Sequence, residues 1–175
     1  MSNVRAHLMR LTGVDLVAVT GISASLAQTI LSEIGTDMSR FPTVKHFCSW
    51  LGLAPHNDIS GGQVLRSRTL KVVNRATQAF RQAAQSVARS YSAFGAYFRL
   101  MRARLGPEQA TVATAHKIAR VVYHLLTHRE AFQGKSAMEY EWERRERELK
   151  HLNRRAKTLG YTLIPVGAPQ PAPVP

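Results

Sequence analysis

The sequence has one cysteine, no long apolar run and few acids, and each shortage removes a class of protein. Cys48 on its own rules out an internal disulfide and cannot build a zinc site. Within "HFCSWLGL" it reads as a small buried hydrophobe. No stretch reaches the roughly 18 apolar residues of a membrane span. The opening "MSNVRAHLMR" also lacks the apolar core of a secretory signal. No membrane partner and a cytoplasmic setting are therefore expected. The chain shows no internal repeat, no P-loop, no dinucleotide fingerprint and no acidic cluster able to hold magnesium. No metal ligand and no cofactor are expected in this chain itself.

What is present is size enough for a core and a strong excess of positive charge. The 175 residues, 45% of them hydrophobic, suit one domain with appendages. Lys and Arg total 24 against 11 acids, a net charge of +13. Between Ile59 and Arg129 the only acid is Glu108, against twelve Lys or Arg. One-signed density of this kind repels itself, so it points to a polyanionic partner, most directly nucleic acid.

The periodicity is that of an all-α protein with a compact helical body. "LVAVTGISASLAQTILSEIG" places two apolar runs around Gly21, with Ser23 as the cap of a helix that ends at Gly35. A second helix follows Pro42 and stops at Gly52 and Pro55. Residues 56–63 read as a loop. Leu70, Val73, Thr77, Phe80, Ala84 and Val87 then mark a long helix from about Ser67 to Tyr91, with Arg68, Lys71, Arg75, Gln78 and Gln82 opposite. Helices near Ala93–Arg104 and Pro107–His128 complete the body. Trp50, Tyr91, Phe94, Tyr97 and Phe98 have core-like spacing. From Met138 to Leu159 Glu and Arg interleave, with Glu143–Arg147 and Glu146–Lys150 in the favourable order. Trp142, Leu149, Leu152, Ala156 and Leu159 form one apolar stripe on that helix, and packing against its own domain is the expectation. "VGAPQPAPVP" reads as a disordered proline-rich tail.

Two short motifs carry chemistry. Thr20-Gly21-Ile22-Ser23 is close to a helix-hairpin-helix turn, in which backbone N–H groups of Gly21, Ile22 and Ser23 meet a phosphate. The same residues also suit an ordinary capped turn. Ser60-Gly61-Gly62 lies in the loop, where glycine lets the backbone approach a ligand. Ser60 would project beside Arg66, Arg68, Lys71 and Arg75, an arrangement suited to attack on a phosphodiester. Its base is not evident, although His56 and Asp58 are near in sequence. His116, Arg120 and His124 lie at four-residue intervals and, with Lys117, read as a solvated or phosphate-facing stripe rather than a metal site.

The order of these pieces resembles a known family. "GVDLVAVTGISASLAQTILSEIGTDMSRFPTVKHFCSWLGLAPHNDISGG" is similar to the C-terminal domain of the insertion sequence 110/116/902 transposases, the Piv/MooV type. The likeness extends through "ATAHKIARVVYHLLTHREAF" and spans about residues 14–132. Thr20 and Ser23 depart from the family's usual proline and second glycine. The resemblance implies DNA transposition, with a serine that attacks DNA and forms a phosphoserine link; Ser60 is the matching residue. It further implies Mg2+ held by four acids of a separate RuvC-like domain, and a noncoding guide RNA as a partner in part of the family.

Asp15, Glu33, Asp37 and Asp58 are scattered along this chain, so it is expected to be half of an enzyme, joined by a RuvC-like domain or by further copies as a homo-oligomer. The expected organisation is a lead-in over 1–13, a DNA-binding and strand-transfer domain over 14–132, a charged amphipathic helix over 133–160 and the tail over 161–175. A non-catalytic nucleic-acid-binding fragment or accessory protein is the alternative function.

Overall fold

The computed structural model describes residues 2–69, 72 and 74–166, with the backbone alone at 2, 56–58, 64 and 66–68. Helix α1 (Ser2–Thr12) is followed by a short 3-10 turn at Leu16–Ala18 and by α2 (Ala24–Ile34). Helix α3 is Val44–Trp50, and a two-stranded antiparallel hairpin follows, β1 (Pro55–Ser60) and β2 (Gln63–Thr69). Then come α4 (Arg75–Ser86), α5 (Ala93–Leu105), α6 (Pro107–His128) and α7 (Ala137–Thr158). The protein is mostly helical, as its periodicity predicts.

Local chemistry sets most helix starts. Ser23, Thr43, Asn74, Ser92 and Ser136 each accept a backbone N–H from the first turn of the helix they precede. At α7 the cap is reciprocal, because Glu139 returns a carboxylate to the Ser136 N–H. That contact is the main reason the Glu139 carboxyl sits below the usual carboxylate range.

The core is built around α4, which packs against α2 on one side and α6 on the other. Ala76, Ala79, Ala83 and Ala84 are buried, so the backbones approach closely, and Phe80 fills the remaining space against Phe47. The Thr77 hydroxyl donates to the Leu51 carbonyl at 2.7 Å, fixing the end of α3 to α4. Tyr123 on α6 donates to the Phe41 carbonyl at 2.9 Å. Cys48 is buried in this core, and burial pushes its thiol up to about 11.

Four features differ from the sequence reading. The long helix expected from Ser67 begins only at Arg75, because Asn74 caps it and residues 63–69 pair with β1. Leu70, Lys71 and Val73, assigned to that helix, lie outside the described residues. Tyr91 is 90% exposed instead of packed, and α1 forms a helix where only a lead-in was expected. In α7, Glu143 turns to Lys135, and the pair on the helix surface is Arg144–Glu148 at 3.6 Å. The tail from residue 167 lies outside the described residues.

Gly21 shows why the turn before α2 needs glycine. Its φ is +97°, and a Cβ there would sit 2.5 Å from Val87 Cγ1 and 2.7 Å from the Ala83 carbonyl. Ser86 on α4 donates to the Gly21 carbonyl at 3.1 Å. Gly21→Ala should therefore cost at least about 2 kcal/mol through clash and backbone strain, lowering Tm by roughly 4–8 °C. Gly35→Ala, at φ +73° and ψ −173° with nothing within 4 Å of the added carbon, should carry backbone strain alone, about 1 to 2 kcal/mol and less than Gly21→Ala. Thermal unfolding of the two variants checks the ranking, and equal Tm values would refute it.

Candidate nucleic-acid interface

The segment from Pro55 to Thr69 forms an arm. Gly61 and Gly62 make a two-residue connection with φ of +57° and +77°, the positive pair that a type I′ turn demands. Ser60 pairs with Gln63 beside that turn, and Pro55 pairs with Thr69 at the base. Ile59 faces Val64 in register and Asp58 faces Arg66, so Leu65 is an extra residue on β2 and makes a bulge. Ile59 and Leu65 are 64% and 70% exposed, which leaves two aliphatic side chains in water near Ser60. The sequence reading missed both.

The arm stands on the helical body. Leu53, Pro55 and Thr69 border a cleft of about 480 Å3 completed by Tyr97, Leu105, Glu108, Gln109, Val112, Ala113 and His116. Burial, then the charge of Arg120, hold the His116 imidazole below its ordinary value. Ser60 is five residue steps beyond Pro55, roughly 17 Å at an extended rise, so His116 serves the foot of the arm and cannot reach Ser60.

The cationic candidates fall in several places. Arg66 and Arg68 lie on β2, with side chains outside the description, as is the whole of Lys71. Arg75 opens α4 and donates from Nε to Glu33 on α2, while its side chain stays 74% exposed. Lys117 is not a free surface cation: its ammonium lies 4.2 Å from the Tyr97 ring centre and 4.7 Å from that of Tyr140. Burial, with Arg147 and Arg120 nearby, pushes its pKa down. Arg120 is exposed and opens on a cleft of about 610 Å3 with Thr43, Val44, Lys117, Val121, Tyr123, His124 and His128. His128, which the sequence reading passed over, stacks on His124 at 4.2 Å and donates from Nδ1 to the His124 carbonyl at 2.9 Å. His124 also meets Glu130 at 3.1 Å.

Gly21 to Ser23 are at the opposite end of α4 from Arg75, roughly 17 Å away along the helix. Ile22 is buried and Ser23 is exposed, its hydroxyl taken by the Leu26 N–H and Ser25. The glycine at 21 is accounted for by α4.

The acids are committed elsewhere. Asp15 binds Arg5, the main reason its carboxyl is depressed, and Asp37 caps a 3-10 turn at Met38–Arg40 by accepting the Ser39 N–H at 2.9 Å. Among the described residues no three His, Cys, Asp or Glu converge on a point that could hold a metal ion. These side chains thus do not supply the donor set for the magnesium implied by the resemblance.

This geometry defines a helical domain with a projecting hairpin. The family model of the transposase IS116/IS110/IS902 family matches residues 8–99, from α1 into α5, and the chain belongs to that family. It is therefore a protein of DNA transposition. The match includes the arm and ends before α6 and α7. No curated protein and no solved structure matches the chain. Among the described residues no helix is long and apolar enough to cross a membrane.

His116 supplies a test of the arm's foot. The folded protein resists a proton that the unfolded chain accepts near pH 6.5, so its contribution is complete above that pH and is lost as pH falls through the folded value. His116→Gln should flatten the decline in Tm between about pH 7 and pH 5. An unchanged pH profile would mean that His116 titrates as freely in the fold as outside it.

Proposed function

We propose that the chain is a DNA-binding and strand-transfer domain, with Ser60 as the nucleophile. The carrying observation is the position of Ser60 at the exposed tip of a two-glycine hairpin, in the stretch from Ile59 to Arg129 that holds twelve Lys or Arg against one acid. A thin turn lets the hydroxyl approach a phosphodiester with little steric conflict. In the reaction the Ser60 oxygen bonds to phosphorus, the P–O bond to one deoxyribose breaks, and that deoxyribose oxygen leaves as a hydroxyl. Arg66, Arg68, Lys71 and Arg75 hold the phosphates and offset the charge that develops. Arg120, with Lys117 behind it, extends the basic track, and the N–H groups of Gly21 and Ser23 add a sequence-independent contact, while that of Ile22 is donated to the Val19 carbonyl at 3.0 Å.

On this reading the acids that bind Mg2+ belong to a separate RuvC-like domain, and a guide RNA is a further partner of the basic residues. The proton of Ser60 then passes to a group outside the described side chains. The dispersed carboxylates favour a second reading, a nucleic-acid-binding module without catalysis.

Ser60→Ala separates the two. In a reaction with the RuvC-like domain supplied and a labelled pre-nicked DNA, the variant should lose the denaturation-resistant adduct and strand joining while DNA affinity stays within about twofold. Normal joining by the variant would remove Ser60 from the mechanism. For either reading, about four phosphate contacts predict a slope of roughly −3.6 in log affinity against log salt, close to a hundredfold loss between about 50 and 200 mM. Salt-independent binding would refute both.

A further inference from the structure

Helix α7 uses only its first half to hold the domain. Tyr140 is buried, meets Tyr97 edge-on and lies under Lys117, and Lys135 pairs with Glu143. From Arg147 to Thr158 every residue except Ala156 is exposed, so three turns run on without packing. A helical segment of that length is marginal in water unless something covers it.

Its exposed side has a heptad pattern. Trp142, Leu149 and Ala156 fall seven apart, as do Met138, Arg145, Leu152 and Leu159, and the two sets alternate by three and four. Trp142, Leu149, Leu152 and Leu159 are 65%, 42%, 44% and 65% exposed. Charge is divided along the same helix. Up to Glu148 five glutamates outnumber Arg144, Arg145 and Arg147, for a net charge of −2; Lys150, Arg154, Arg155 and Lys157 follow with no acid among them, a net +4. Parallel pairing of two such helices would set the basic end against the basic end. Antiparallel pairing sets each basic end on a part that is net acidic.

We infer that α7 pairs antiparallel with α7 of a second copy of this chain. In the register that brings the two leucines together, Leu149 meets the partner's Leu152, Trp142 meets the partner's Leu159, and Arg145 lies over the partner's Ala156. The small alanine leaves room for the arginine stem. Glu148 then faces the partner's Arg155, twice by symmetry. The cleft of about 540 Å3 that Trp142 and Met138 share with Arg99 and Leu100 of α5 lies at the end where the partner's Leu159 arrives. This pairing is independent of the role of Ser60, because it uses the opposite end of the chain.

The test is light scattering on the full chain over a dilution series. The expected mass is about twice the 19.5 kDa of the chain, falling toward one copy on dilution. Leu149→Glu with Leu152→Glu should give a monomer at every concentration with unchanged helical circular dichroism and Tm. Glu148→Arg or Arg155→Glu alone should weaken the dimer about tenfold, and the two together should restore most of that loss. A monomer in the unaltered chain, or a dimer untouched by the leucine changes, overturns the pairing. Failure of the double charge exchange to restore association overturns the antiparallel register.

Discussion

Close approach of α4 to its neighbours is the constraint on which the rest of the protein depends. Four buried alanines let α2 and α6 flank it, and the Thr77 hydroxyl draws in the end of α3. The turn at Gly21 can form only because glycine has no side chain to strike Val87 and Ala83. The N-terminal end of α4 is bound to α2 through Arg75 and Glu33. One helix therefore fixes the relative positions of the α2 turn, the α3 end and the α6 face, and the hairpin leaves the body between α3 and α4.

Electrostatics then divides the surface. Asp15 and Glu33 sit in ion pairs with arginines and Asp37 in a cap, so the few acids steady the fold and offset little of the net positive charge. The exposed pairs add little stability individually. What remains is a net positive charge of +13 spread over several parts of the chain, and the Gly61–Gly62 arm carries Arg66 and Arg68 on its second strand. Lys117 shows that charge in the sequence is not the same as charge at the surface. Held between two tyrosines, it ties α5, α6 and α7 together and leaves Arg120 as the exposed member of that pair.

Much of the helical order was legible because capping and periodicity act over a few residues. Ser23, Gly35, Pro107 and Gly160 mark ends that the structure places at or beside the expected positions. The hairpin was harder, because Leu70, Val73, Thr77 and Phe80 imitate a helical stripe and hid a Gly-Gly pair between two strand-forming runs. That pair was the available signal, together with Asn74 as a cap. The exposure of Tyr91, Ile59 and Leu65 had no local signature, since an aromatic or aliphatic residue at regular spacing looks the same whether or not a partner arrives.

The sequence by itself determined the helical class, the excess of positive charge, the turn residues and the order of motifs that identifies the transposase family. These are properties of composition and of contacts within a few residues, so no folding is needed to read them. Only the tertiary structure decided that Ser60 stands at the tip of an arm about 17 Å from the cleft that half-buried His116 lines. It also decided that Lys117 serves the core and that half of α7 is left uncovered. Those outcomes depend on which surfaces meet across long stretches of chain, and no local pattern records them.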